Sequence, residues 1–135
     1  MSESKHILIV GCGRLGGALA TRLSLAGHQV VVVDRKEASF EKLGVAFSGF
    51  KLIGDAVELH VLKDAGIERA DILFATTTAD NTNLMIAQVA RQVFQVQRVV
   101  ARVFDPAREA IYRDFGIETI SPTQLSTEAF LKVVR

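Results

Sequence analysis

The feature that most constrains this chain is a glycine pattern placed between two different periodicities. Gly11-Cys12-Gly13-Arg14-Leu15-Gly16 follows directly on the continuously apolar run Ile7 to Val10 and opens an amphipathic stretch over about residues 14 to 26. A G-x-G-x-x-G sequence alone is a weak signal. Between a strand and a helix it calls for a tight turn whose free N–H groups and helix dipole face a pyrophosphate. A second run, residues 29 to 34 (Gln-Val-Val-Val-Val-Asp), ends in Asp34, 21 residues beyond Gly13, against the spacing of about 20 expected for an acid that receives ribose hydroxyls. That charge repels a 2′-phosphate and favours NAD(H) or another adenine nucleotide over NADP(H). Arg35 beside it tempers the preference, because its guanidinium could accept such a phosphate.

Short β-branched runs recur to the end of the chain, at 6–10, 29–34, 50–54, 71–76, 97–103 and 117–120, with helical stretches between them. This alternation predicts β-α-β units folded into a parallel sheet. Ile7 to Val10 and Val30 to Val33 are apolar without alternation, as in strands covered by helices on both faces. The expected fold is therefore α/β, a Rossmann-like doubly wound parallel six-stranded sheet with a C-terminal helix. At 135 residues, with no repeat and no Pro/Gly/Ser linker, one domain over 1–135 is expected. Helix ends are marked by Asp55 with Glu58 as a capping box, Gly66 as a C-terminal stop, and Asp105-Pro106 as an N-cap with proline in the first turn. Ser121, Pro122 and Gln124 repeat that device before a last helix over 122–134. Its Leu125, Ala129 and Val133, with Phe130 beside them, make a narrow apolar stripe that either closes the core or grips a partner.

Composition removes other classes. Hydrophobic residues at 49% and charged residues at 23% describe a globular chain. Sixteen Lys+Arg against fifteen Asp+Glu leave a net charge of +1, without the basic excess a nucleic-acid binder uses to displace counterions. A single cysteine, Cys12, and scattered His6, His28 and His60 give neither a disulfide nor a zinc spacing, so a reducing, cytoplasmic setting fits. Residues 1–6 do not open a secretory signal, and no run approaches the ~20 apolar residues needed to cross a bilayer. Two readings stand for Cys12: a small residue pointing into the turn, or a thiol activated by the helix N-terminus.

Three later stretches add specificity: Gly-Asp-Ala at 54–56 with Leu62 to Asp71, Ala-Thr-Thr-Thr-Ala-Asp-Asn-Thr-Asn at 75–83, and Ala-Arg-Val at 101–103 followed by Gly-Ile-Glu-Thr-Ile-Ser-Pro at 116–122. With the glycine loop and Val-Val-Asp at 32–34, they make the chain resemble the N-terminal nucleotide-binding domain of RCK proteins, regulators of potassium conductance that include the Trk and Ktr uptake regulators. The resemblance implies that the backbone of Gly11, Cys12, Gly13 and Leu15 and the side chain of Arg14 hold phosphates. It further implies that Asp34 holds ribose, that Asp55 and Ala56 edge the adenine, that Thr76, Thr77 and Thr78 line the fourth strand end, and that Arg102 faces the phosphates. Structural alternatives stand beside these. Asp55 caps its helix, Thr78 or Asp80 caps the helix through Asn83 to Phe94, and Arg102 pairs with Asp80 or Asp105, while Arg108 and Arg113 face solvent. Many Trk and Ktr relatives carry Pro-Glu after the sixth strand, where this chain has Pro122-Thr123, so no metal site is expected.

The implied function is a regulatory domain that senses NAD(H) or ADP/ATP and controls a membrane potassium channel or transporter supplied by another chain or a missing segment. It would work as a homodimer or ring of dimers at the inner face of the cell membrane. The chain ends at Arg135, before the C-terminal RCK subdomain, as a fragment, a stand-alone sensor or one chain of an assembly. The competing class is an enzyme, a small NAD-dependent oxidoreductase or dehydrogenase fragment. Hydride transfer uses a second substrate pocket and a positioned acid or base. The three histidines fall at strand or helix ends or within the third helix, and the one tyrosine, Tyr112, has no lysine four residues on. A methyltransferase would need a longer chain with a closing antiparallel strand.

Overall fold

The computed structural model describes residues 3–135; Met1 and Ser2, at the start of the expected 1–135 domain, lie outside the described residues. All six expected strands form: β1 (His6–Val10), β2 (Gln29–Asp34), β3 (Phe50–Ile53), β4 (Ile72–Ala75), β5 (Arg98–Arg102) and β6 (Glu118–Ile120). They make one sheet in the order β3-β2-β1-β4-β5-β6, with every pairing parallel. Between them run α1 (Arg14–Leu25), α2 (Leu59–Asp64), α3 (Asp80–Gln88) and α4 (Glu109–Asp114), and α5 (Pro122–Val134) closes the chain.

The unbroken apolar runs of the central strands are explained by two cores. Leu8, Val10 and Val33 face one core with Leu62, Ile86 and Tyr112 from α2, α3 and α4. Ile7, Ile9, Val30 and Val32 face the other, with Ala20 of α1. Helices thus cover both faces, and the strand order reverses between β1 and β4. In doubly wound sheets a ligand crevice opens at that reversal, outside the carboxyl ends of the strands.

The helix ends divide by the source of their partners. Asp105 accepts from the Ala107 N–H and Ser121 from the Gln124 N–H, each with proline in the first turn, as expected. Gly66 takes the left-handed conformation, φ +86°, past α2. The Asp55–Glu58 capping box is corrected: Glu58 is itself the N-cap of α2, without a side-chain cap. Asp55 instead accepts from the Val57 N–H at 3.1 Å, a turn ahead of the helix. Capping of α3 by Thr78 or Asp80 is corrected as well, because its N-cap is Ala79, with no side-chain cap. The helix expected through Asn83 to Phe94 begins earlier, at Asp80, and finishes in a π turn over Val89–Val93. The segment after β2 forms only a 3-10 turn over Glu37–Lys42. α5 does not close the core: none of its residues is buried.

Candidate nucleotide-binding site

The glycine loop owes its shape to crowding on one side and openness on the other. Gly11 adopts φ +104°, and a β-carbon there would lie 2.8 Å from the Thr76 carbonyl carbon and the Thr77 nitrogen. A β-carbon on Gly16 would collide with the Gly11 carbonyl oxygen. Both glycines are demanded by the fold. Gly13 is not: its φ of −87° suits any residue, and nothing lies within 4 Å of the place its β-carbon would take. A side chain there would project into the crevice that a pyrophosphate must reach to meet the loop backbone.

Asp34, at the end of β2, locks this loop to the sheet. Its Oδ2 accepts from the Cys12 N–H at 2.8 Å and its Oδ1 from the Lys36 N–H at 2.9 Å. A carboxylate oxygen accepts more than one hydrogen bond, so each keeps capacity for a ribose hydroxyl. Cys12 is fully buried. Burial, and then the Asp34 charge, push its thiol pKa upward against a smaller opposing effect of Lys42. The activated-thiol reading is therefore corrected; the buried cysteine is a space-filling residue of the turn.

The crevice has a volume of about 550 Å³, within the ~300–1,000 Å³ typical of ligand sites. It brings together Gly11 to Arg14, Asp34, Arg35, Asp55, Ala56 and Thr76 to Thr78, residues from the ends of four strands. Leu15, Gly16 and Arg102 stand outside its lining. Lys36, Ser39, Lys42 and Thr82 belong to it without having been signalled by the sequence. Lys42 arrives because the 3-10 turn seats on α1 where Gly17 lacks a side chain: a β-carbon there would sit 3.0 Å from the Lys42 carbonyl oxygen. Arg14, Arg35, Lys36 and Lys42 against Asp34 and Asp55 leave the lining with an excess of cations, which raises the local concentration of polyphosphate anions.

The β4 wall is held from behind. The Thr76 hydroxyl donates to the Val10 and Gly11 carbonyls at 3.1 and 2.9 Å. Thr77 donates its N–H and hydroxyl to Asn83 Oδ1 at 2.9 and 2.6 Å, and Thr78 is exposed at the rim. Arg102 turns to the protein: its guanidinium donates to the Thr76 and Thr77 carbonyls at 2.7 and 3.0 Å and lies 4.7 Å from the centre of the Phe104 ring. Burial lowers its pKa, partly offset by Asp80. The expected ion pair with Asp80 or Asp105 is corrected; among the described residues the ion pair between fully charged groups is Arg98–Glu118. Arg108 is not buried and meets the Asn81 side chain in an exposed contact, and Arg113 is exposed.

Among the described residues the lining holds no histidine and no tyrosine, and Tyr112 is buried with its hydroxyl donating to the Asp80 carbonyl at 2.6 Å. The sheet has no antiparallel strand among the described residues. The wall thus offers loop backbone, four cationic side chains and the carboxylates of Asp34 and Asp55 to a ligand.

Comparison with known proteins agrees with this geometry. The model of the TrkA-N domain matches residues 7–122. A "Trk system potassium uptake protein TrkA" of Streptomyces coelicolor is 41% identical over 127 residues, 94% of this chain and 57% of that protein, so the chain spans little more than half of that relative. The crystal structure of GsuK bound to ADP is 26% identical with a TM-score of 0.82, over 97% of this chain and 34% of that one. The GsuK channel bound to NAD shares the fold, with 24% identity, a TM-score of 0.70, and 88% of this chain against 22% of that one.

Proposed function

The chain belongs to the TrkA-N domain family, and from that premise we propose that it is a nucleotide-sensing domain of a potassium-transport regulator, binding NAD(H) or ADP/ATP in the crevice between β1 and β4. The observation that carries this reading is Gly13, a glycine that the fold does not require, opening on a cationic crevice opposite Asp34. In the proposed complex the backbone N–H groups from Gly13 to Leu15, at the start of α1, and the side chains of Arg14 and Lys42 hold the phosphates, while the Gly11 and Cys12 N–H groups fix the loop to Val33 and Asp34. Asp34 receives the ribose, Asp55 and Ala56 edge the adenine, and Thr77 and Thr78 border the ligand from β4. Arg35 borders the ribose side, Thr76 and Arg102 shape the wall, and Leu15 and Gly16 set the loop. The ADP-bound and NAD-bound GsuK structures support the ligand class, and the Trk relative supports the role in potassium uptake.

The domain spans 1–135 in this proposal and acts without turnover. Occupancy shifts an assembly of such domains between states that differ in nucleotide affinity, which is the condition for a ligand to move an equilibrium. The assembly is a homodimer or ring of dimers at the cytoplasmic face of a membrane potassium channel or transporter. No described helix is long and apolar enough to cross a membrane, so the pore belongs to another chain or segment.

Calorimetric titration with NAD+, NADH, ADP, ATP, AMP and S-adenosylmethionine, repeated on Asp34→Ala, tests the site. Binding of the adenine nucleotides that weakens at least about tenfold in the variant, the effect of ~1.4 kcal/mol, is the expected result. Undiminished binding would remove the ribose role, and turnover of any cofactor would favour an oxidoreductase.

A further inference from the structure

We propose that Asp80 and Asn83 are positioning residues that carry occupancy of the crevice to the β5–α4 segment; the inference rests on the nucleotide-site reading above. Asn83 is fully buried, yet its amide is satisfied on every side. Its Oδ1 accepts from the Thr77 N–H and hydroxyl, and its Nδ2 donates to the carbonyls of Thr77 at 3.2 Å and Arg102 at 3.0 Å. One side chain therefore fastens the end of β4, which borders the crevice, to the end of β5. Arg102 repeats the fastening in the other direction, from β5 to the Thr76 and Thr77 carbonyls.

Asp80 extends the connection. It opens α3, but its carboxylate does not cap that helix; it accepts from the N–H groups of Phe104 at 2.8 Å and Asp105 at 3.0 Å, 24 and 25 residues away. Its carbonyl accepts from the Tyr112 hydroxyl in α4, and the next residue, Asn81, meets Arg108. The first turn of α3 thus grips the loop after β5 and the helix that follows. Thr82 of the same turn, and Thr77 to Ala79 that lead into it, line the crevice. A ligand that orders this turn also orders the acceptors on which the Phe104 and Asp105 amides depend. The segment so held carries the exposed side chains of Phe104 and Ile111.

Hydrogen exchange of individual amides tests this in the 135-residue chain with saturating ADP or NAD+. Exchange at Phe104 and Asp105 is expected to slow at least fivefold on nucleotide binding. Asp80→Ala, which alters no residue of the crevice lining, is expected to keep the nucleotide affinity within about twofold while the ligand-dependent slowing disappears. Asp80→Asn preserves shape and one acceptor, guards against loss of the fold, and is expected to lose most of the slowing. A purely structural role would raise the exchange rate in the variants yet leave the ratio between free and bound unchanged, and that outcome overturns the proposal. So does nucleotide binding to the parent chain without any change at these two amides. If the parent chain binds neither nucleotide, the nucleotide-site reading fails, and this proposal with it.

Discussion

Three glycines in one loop do three different jobs, and the difference is measurable. Gly16 is needed because α1 passes directly over the Gly11 carbonyl, and Gly11 because its backbone lies in the left-handed region against β4. Gly13 has ordinary dihedrals and open space. Gly13→Ala is therefore expected to hold or slightly raise stability, by up to about 1 kcal/mol through loss of unfolded-state freedom, while nucleotide affinity falls at least tenfold because the new methyl group occupies the phosphate approach. Gly16→Ala is expected to cost on the order of 1–3 kcal/mol or more by overpacking. Thermal melts beside calorimetry separate the two cases. Equal destabilisation by both substitutions would mean that Gly13, too, serves only the fold. Cys12 belongs to the same scale: buried and with its thiol pKa raised, it is expected to react with a thiol reagent no faster than a cysteine released by local unfolding, as timed labelling of the native chain would show.

At the scale of elements, what could be read from sequence follows the reach of the interactions. β1 and β2 were legible because parallel strands buried on both faces are apolar throughout, the outer strands, with exposed Lys51 and Glu118, only as short β-branched runs between helical stretches, and Asp105 and Ser121 because an N-cap satisfies an N–H two or three residues ahead. Asp80 misled because a carboxylate near a helix start is chemically able to cap it, whereas its real partners are amides brought in after β5 by the fold; Asp55 does bind an N–H two residues ahead, but in a turn before a helix that starts later, at Leu59. Lys42 was invisible for the same reason, since its place in the crevice comes from the seating of the 37–42 turn on Gly17. The cap on α5 makes a test of local stability. Ser121→Ala is expected to cost about 1 kcal/mol. Because α5 buries nothing in the domain, most of that loss should appear as faster amide exchange over residues 124–128 with little change in the global melting temperature. A large drop in the global transition would show instead that α5 contributes to the core.

For the molecule as a whole, α5 is the part that the domain itself does not explain. Leu125, Phe130, Leu131, Val133 and Val134 are all exposed, between 47% and 85%, on a helix with an ordered N-cap and proline start. Exposed apolar side chains concentrated in this way on one helix mark an interaction site. If two copies pack these helices together and each side chain loses half its exposure, burial contributes roughly 1 kcal/mol per side chain, or on the order of 10 kcal/mol over both copies. The loss of translational and rotational freedom costs about 4–15 kcal/mol. The balance is close, so the isolated chain is expected to self-associate only weakly, with Kd in the millimolar to micromolar range. Within a longer chain or a ring, a second contact raises the effective concentration and makes the same helix contact persist. Sedimentation equilibrium over a concentration series should show a reversible monomer–dimer exchange, and Phe130→Asp should abolish it while leaving the melting of the domain and its nucleotide affinity unchanged. A chain that stays monomeric at millimolar concentration would assign the stripe to a different partner, and the dimer would drop out of the proposed mechanism.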